Sequence, residues 1–271
     1  MLSSCVTISL VEEARGGPFV FWSDLANSCQ TAKEIGFDAV EIFAPGPDTF
    51  ADGQLERLLN DLDLKLAALG TGGGWVIHGW HLCSPDSRQR AKAIDFIRSM
   101  IDVAGRFGAM AIIGSMQGRH GDDVDKPTAI GYLREALQQL GEHAQQYELP
   151  LIYEPLNRYE TNLINTMAES VAFLNSLQTE NVRLLADLFH MNIEESSIAT
   201  AVRTAGQHLG HIHLVDSNRQ AAGLGHIDYD PIAEAVRDIG YSGTLSAEAL
   251  PHPTPEDAAR QTIETYRKYF S

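Results

Sequence analysis

The chain has 271 residues, 44% of them hydrophobic, and carries a formal net charge of −16. A surface this acidic repels polyanions, which argues against nucleic acid or an anionic membrane as a partner. The three cysteines, Cys5, Cys29 and Cys83, form no metal-binding pair and no disulfide framework, so a reducing, cytoplasmic compartment is expected.

Short apolar runs alternate with longer amphipathic ones along the chain. No linker-like or low-complexity stretch divides them, so a single domain over residues 1–271 is predicted. No run of about 18 apolar residues indicates a membrane span. Strands are predicted at residues 6–10, 39–43, 64–69, 110–114, 151–154, 182–187, 211–215 and 244–248.

A helix is predicted after each of these strands. The predicted helices are residues 24–35, residues 54–62, a helix opened by Ser84-Pro85, one containing residues 130–147, one opened by the capping box of Thr166 and Glu169, one from near Ser196, one opened by Asp230-Pro231 and one opened by Thr254-Pro255. The glycine-rich residues 70–74 do not match the dinucleotide fingerprint, and a flexible loop is predicted there.

Eight strand–helix units without a hairpin signal predict a parallel sheet. At this length, eight units fit a closed (β/α)₈ TIM barrel of the α/β class, in which the C-terminal ends of all strands open on one face. An open doubly wound sheet is the alternative, although it usually contains fewer units.

The last four predicted strands end in side chains that bind metals. These side chains are Glu154, Asp187, His213 and Glu248. Neighbouring strand ends converge in a barrel, and four such groups facing one another without a counter-charge would be costly. One divalent cation removes that cost. Three carboxylates and one imidazole favour Mn²⁺, with Mg²⁺, Co²⁺ and Zn²⁺ as alternatives.

The segments that carry these groups resemble a known family. They are EPLNRYE at residues 154–160, ADLFHMN at residues 186–192, HIHLVDSNR at residues 211–219 and SAE at residues 246–248. With them the chain is similar to the sugar isomerase/epimerase superfamily of xylose isomerase-like TIM barrels. Within that superfamily it resembles the D-tagatose 3-epimerase-like ketose 3-epimerases.

The resemblance implies a role for each matched residue. Its implied metal ligands are Glu154, Asp187, His213 and Glu248. Its implied sugar-binding residues, which would hold the hydroxyls and the carbonyl, are Glu160, His190 and Arg219. The implied partner is a small-molecule sugar or sugar phosphate, and a homo-oligomer is possible.

The chemistry of such a reaction begins at the weakly acidic proton beside a carbonyl. Its removal gives a cis-enediolate, whose negative charge a divalent metal stabilises. Two carboxylates on opposite faces of the sugar can remove the proton from one face and return it on the other, which inverts the carbon. The resemblance gives this work to Glu154 and Glu248, each of which would be both metal ligand and acid/base.

Several alternatives remain open at this level. The enzyme could interconvert an aldose and a ketose in the manner of hydroxypyruvate isomerase, or epimerise a phosphorylated ketose. An endonuclease IV-like phosphodiesterase is disfavoured because residues 219–228 lack the Asp-x-His pair that further metals need. A non-catalytic sugar-binding protein would not need two carboxylates facing one metal.

Single residues also have simpler interpretations. His190 could be structural, Glu160 could be a surface acid, and Arg219 could pair with Asp216. Glu41, at the end of the second predicted strand, could reach the barrel mouth and is given no role. The three tryptophans could line a sugar pocket or fill the core, and core packing is the more common use. They are Trp22, Trp75 and Trp80.

Overall fold

The computed structural model describes residues 2–271, and its centre is a parallel β-sheet closed into a barrel. The strands are β1 (Ser3–Ser9), β2 (Phe21–Trp22), β3 (Ala39–Phe43), β4 (Lys65–Gly70), β5 (Met110–Ile113), β6 (Leu151–Tyr153), β7 (Val182–Asp187), β8 (Leu209–His213) and β9 (Thr244–Ala247). The helices are α1 (Leu25–Ile35), α2 (Gln54–Leu62), α3 (Gly73–His78), α4 (Ser87–Arg106), α5 (Lys126–Ala144), α6 (Met167–Leu174), α7 (Leu188–Glu194), α8 (Ile198–Ala205), α9 (Tyr229–Asp238) and α10 (Pro255–Tyr269).

The barrel closes because β1 pairs in parallel with β3 on one side and with β9 on the other. The remaining neighbours follow chain order from β3 to β9. The predicted (β/α)₈ TIM barrel is confirmed, and the β1–β9 pairing rules out the open sheet. The short strand β2 is an addition outside the predicted set, and it pairs with the end of β1 through Ile8 and Phe21.

Alternation along the strands decides which side chains enter the barrel. Residues two apart on a strand point to the same face. Ile152 and Leu185 belong to a small buried apolar cluster that is separate from the large core between sheet and helices. Glu154 and Asp187 lie two residues further on and therefore face the same interior. An apolar layer thus supports a charged layer at the C-terminal end of the barrel.

Capping side chains fix where the helices begin. The predicted caps of α6 and α10 are confirmed, since the hydroxyls of Thr166 and Thr254 accept the backbone N–H groups three residues on. The predicted starts of α4 at Ser84 and of α9 at Asp230 are wrong. Asp86 and Asp228 cap these helices instead, because their carboxylates accept the backbone N–H groups of Arg88 and Asp230, respectively.

Two short helices correct the predicted loops. Residues 70–74 are not wholly a flexible loop, because α3 begins at Gly73 and runs to His78. After β7, the chain enters α7 at once, before α8, which Ser197 caps and which matches the helix predicted near Ser196. Both α3 and α7 lie at the mouth of the barrel, where loops between strand and helix carry function.

No helix within residues 2–271 is long and apolar enough to cross a membrane. The organisation of the chain as one domain over residues 1–271 stays a prediction.

Candidate active site

The ends of β6 to β9 bring the four predicted metal ligands together, and we call them the four-residue centre. Ligand atoms of Glu154, Asp187, His213 and Glu248 all lie within 4.8 Å of one another. The Nδ1 atom of His213 lies 3.2 Å from Asp187 Oδ2, 3.5 Å from Glu248 Oε2 and 3.7 Å from Glu154 Oε1. The imidazole nitrogen therefore faces a ring of three carboxylates.

The two carboxylate oxygens of Asp187 have different partners. Oδ1 accepts hydrogen bonds from the backbone N–H groups of Phe189 at 2.8 Å and His190 at 3.0 Å, which caps the N-terminus of α7. Oδ2 faces His213. The helix that begins directly after Asp187 thus holds this carboxylate in one orientation.

Glu154 is fixed by the neighbouring strand and the loop after it. Its backbone N–H donates to the carbonyl of Ile113 at 3.0 Å, and its own carbonyl accepts from Gln117 Nε2 at 3.0 Å. Its side chain passes very close to Gly114, where an added Cβ atom would lie 2.5 Å from Glu154 Oε2. Only glycine at position 114 leaves room for the carboxylate in this place.

Glu41, which the sequence left without a role, lies beneath the four-residue centre and is buried. Its carboxylate contacts two histidines of β8: Oε2 lies 2.8 Å from His211 Nε2, and Oε1 lies 3.2 Å from His213 Nε2. When the neutral ring of His213 carries its proton on Nε2, this N–H donates a hydrogen bond to Glu41. The lone pair of Nδ1 then faces the three carboxylates. A carboxylate that orients a metal-binding histidine in this way is common in metal sites.

Burial and charge shift the pKa values of these groups in opposite directions. Burial raises the pKa of Glu154 well above its ordinary range; His213 opposes this rise, while Glu248 and Asp187 add to it. Burial also acts to raise the pKa of Asp187, but His190 and His213 outweigh it and the pKa is lowered. For His213, burial acts to lower the pKa, yet Glu248 and Glu41 prevail and raise it well above its usual value.

The donor set of the four-residue centre fits a divalent cation. Three carboxylates this close repel one another when ionised. The pKa of Glu154 is raised chiefly by burial, and the carboxylates of Glu248 and Asp187 add to that rise. A bound cation would compensate the charges and use the lone pairs of the carboxylates and of His213 Nδ1. Oxygen-rich sites with one imidazole suit the harder divalent metals.

His190 lies beside the four-residue centre and offers a free donor. Its Nδ1 accepts a hydrogen bond from the backbone N–H of Asn157 at 3.3 Å, so the proton of a neutral ring lies on Nε2. Nε2 is buried, lies 3.7 Å from Glu154 Oε1, and has no hydrogen-bond partner among the described residues. A buried donor without a partner is costly unless a ligand satisfies it.

Arg219 and Glu160 form the outer edge of the site. Arg219 Nη1 lies 2.9 Å from Glu160 Oε1, and Nη2 lies 3.6 Å from Glu248 Oε2. The guanidinium stacks 4.8 Å above the ring of Phe189. Arg219 contacts Asp216 through its backbone, whose N–H donates to the Asp216 carbonyl at 2.9 Å, whereas the guanidinium pairs with Glu160 and Glu248. Arg219 also has a φ of 60°, a left-handed backbone conformation that costs energy in a non-glycine residue and is often found at functional sites.

These groups surround a cavity of about 290 Å³, which we call the first cavity. Its charged floor contains the four-residue centre except Asp187, together with Glu41, His190 and Arg219. Its walls are apolar and include Phe19, Phe43, Val76 and Leu156. A mostly apolar pocket with a few converging polar groups is the usual form of a small-molecule site.

Two features of the sequence could have pointed to Glu41 and His211, to which sequence analysis gave no role. Glu41 is the one charged residue in the apolar strand β3, and a charge in such a strand is buried only when it is paired. His211 and His213 are two apart on β8 and so must share the interior face. Nothing in the sequence placed Glu41 against β8, because their contact joins residues 170 positions apart.

Comparisons with known proteins agree with this geometry. The family model described as Xylose isomerase-like TIM barrel matches residues 29–269. The L-ribulose 3-epimerase of Mesorhizobium japonicum is 31% identical over 231 residues, which cover 84% of this chain and 76% of that protein. The D-psicose 3-epimerase of Ruminiclostridium cellulolyticum is 32% identical over 244 residues, covering 85% of this chain and 81% of that protein.

A solved structure matches over nearly the whole length. The crystal structure of D-psicose 3-epimerase with D-tagatose from Clostridium cellulolyticum H10 aligns with a TM-score of 0.83, covers 99% of both chains and is 24% identical. At that identity the likeness shows the fold.

Proposed function

Since the chain belongs to the xylose isomerase-like TIM-barrel family, we propose that it is a metal-dependent ketose 3-epimerase with Glu154 and Glu248 as its acid/base pair. The predicted family and the predicted class of sugar epimerase are confirmed by the relatives. The residue roles, the metal and the sugar are proposals.

The convergence of four ligand groups at one point, beside a buried donor without a partner, carries this proposal. Glu154, Asp187, His213 and Glu248 would hold one divalent metal ion, with Mn²⁺ as the first candidate. When bound, the metal would supply the positive charge that stabilises the enediolate and orients the carbonyl and hydroxyl oxygens of the sugar.

The two glutamates would move the proton. Glu154 follows β6 and Glu248 follows β9, so two strands lie between them and their carboxylates approach the centre from different sides. One carboxylate removes the proton from C3, and the electron pair of the broken C–H bond moves towards the carbonyl oxygen. The other glutamate, in its protonated carboxylic acid form, donates its proton to the opposite face of C3. The electron pair of the C2=C3 bond forms the new C–H bond, and the electron pair on the oxygen forms the carbonyl again.

The remaining polar groups would position the sugar. The Nε2–H group of His190 would donate to the carbonyl oxygen as its negative charge develops. The ion pair of Arg219 with Glu160 presents one donor and one acceptor group at the edge of the cavity, which suits the hydroxyls of a sugar. The apolar walls would exclude water from the enediolate.

The proposal is tested with metal-stripped protein reloaded with Mn²⁺ and incubated with a panel of free ketoses in D₂O. We expect the C3 epimer of at least one ketose, with one deuterium at C3 in the product. Deuterium at C2 of an aldose product would instead support aldose–ketose isomerisation. No exchange in any ketose would overturn the proposal.

A further inference from the structure

A second cavity of about 460 Å³ adjoins the first. Ser115, Leu156 and Glu160 line both cavities, so the two spaces are direct neighbours. The far walls of the second cavity are formed by Trp75 at the mouth end of α3 and by the segment after the loop of β5. The first cavity alone lies at the lower end of the range of about 300–1,000 Å³ for ligand pockets, and the second is larger.

We propose that the second cavity is a subsite for an uncharged glycosyl group, so that the enzyme acts on ketoses that carry a sugar on the end remote from the carbonyl. This inference rests on the proposed epimerase function and specifies its substrate class.

The charges of the second cavity argue against a phosphate. Its lining contains the carboxylates of Asp122 and Asp123 against the single guanidinium of Arg119, while Glu160, which also lines it, is paired with Arg219. Burial lowers the pKa of His81, which keeps this lining imidazole neutral. A phosphate dianion would meet net repulsion here, whereas a neutral hydroxylated group would not.

The chemical character of the walls suits a sugar ring. Trp75 is 43% exposed, which is unusual for so large an apolar side chain, and its ring stands edge-on to His81 at 5.5 Å between centroids. An exposed indole offers a flat apolar surface for the C–H face of a sugar. His81 has a buried Nδ1 without a hydrogen-bond partner within residues 2–271, and carboxylates nearby can accept from hydroxyls.

Hydrogen bonds within the protein fix the wall of the second cavity that residues 120–124 form. The backbone N–H of His120 donates to Asn162 Oδ1 at 2.9 Å, and Asn162 Nδ2 donates back to the carbonyl of His120 at 3.1 Å. Gly121 and Val124 add a pair of backbone hydrogen bonds at 2.9 and 3.3 Å. A preformed wall lowers the entropic cost of binding a glycosyl group.

The test compares three ketoses with the same reacting end: D-fructose, 6-O-glucosyl-D-fructose and D-fructose 6-phosphate. For Mn²⁺-loaded protein, kcat/KM for deuterium exchange at C3 should be highest for the glucosyl ketose. In Trp75→Ala we expect that value to fall about tenfold, as for the loss of a good stacking contact, with D-fructose unchanged. The matched control is Leu224→Ala, since Leu224 is 40% exposed but lines neither cavity.

Exchange in free ketoses but not in the glucosyl ketose would overturn the inference and leave the proposed function intact. A wild-type preference for the phosphate would do the same, and so would an unchanged glucosyl ketose value in Trp75→Ala. Exchange in no ketose at all would overturn the proposed function, and the inference with it.

A double variant, Asp122→Asn with Asp123→Asn, should improve kcat/KM for the phosphate relative to wild type.

Discussion

The two halves of the barrel present different surfaces to the same mouth. The ends of β6 to β9 supply three carboxylates and an imidazole to one point. The ends of β1 and β3 to β5 supply small, apolar or hydroxyl-bearing residues to the cavity, together with one carboxylate. These are Thr7, Glu41, Phe43, Gly70, Ile112 and Gly114.

The later half of the barrel therefore provides the reactive groups, and the earlier half provides the shape of the pocket. Charged groups in the later half can bind a metal and move protons, whereas the earlier half and its loops decide how much space a substrate has. Glu41 crosses the division, because it comes from β3 but contacts the histidines of β8. Each of the following experiments tests whether the division holds.

The largest effect is expected for the two proposed proton carriers. Glu154→Gln and Glu248→Gln keep the size of the side chain but remove the base, so kcat should fall by about three powers of ten. Steady-state epimerisation measures this. The control Glu180→Gln changes an exposed glutamate far from the mouth. Near-normal turnover in either test variant would show that the later half does not carry the chemistry.

The next effect concerns metal binding by the later half. His213→Ala removes a proposed ligand, so the affinity for Mn²⁺ measured by calorimetry should fall by more than the roughly 100-fold that an outer residue contributes. Asp187→Ala should behave in the same way. An unchanged titration in both variants would mean that the metal binds elsewhere.

Glu41→Gln tests the residue that crosses the division. We expect the affinity for Mn²⁺ to fall about 10- to 100-fold, because an amide cannot accept from both histidines and hold the ring of His213 as firmly. The thermal shift on adding Mn²⁺ should shrink in parallel, which gives a measurement independent of turnover. Glu56→Gln, at an exposed position of α2, is the matched control. Wild-type affinity in Glu41→Gln would make Glu41 a purely structural residue.

The smallest effect is expected from pH. Burial raises the pKa of Glu154, so part of the metal-free protein holds a proton there above the usual range of a carboxylic acid. The metal must displace that proton and the proton that the raised pKa of His213 keeps on its ring, so the affinity for the metal should rise with pH. Calorimetry in buffers of different ionisation enthalpy should show proton release in wild type and less of it in Glu154→Gln. If wild type and Glu154→Gln release the same number of protons on binding the metal, the displaced proton comes from a group other than Glu154.

The sequence predicted the later half better than the earlier one, for a physical reason. Each ligand of the four-residue centre follows a run of buried strand residues, so its position in the mouth follows from the fold alone. The partner of Glu41 depends on a contact across the barrel, and α3 begins in a run of glycines that lowers helix propensity. The second cavity is built from loops, whose shapes no periodic pattern encodes.

The two carboxylate oxygens of Asp187 have different partners, and this has a consequence for how the enzyme would acquire its metal in the cell. Oδ2 faces the metal position, while Oδ1 holds the backbone N–H of His190, the residue proposed to bind the sugar. The metal and the sugar therefore both contact groups that Asp187 and the first turn of α7 hold in place. If binding of one orders that turn, the other binds with a lower entropic cost. By thermodynamic linkage, a sugar that binds the loaded protein more tightly must raise the metal affinity by the same factor. When metal is scarce, the supply of substrate would itself set the fraction of enzyme that is active.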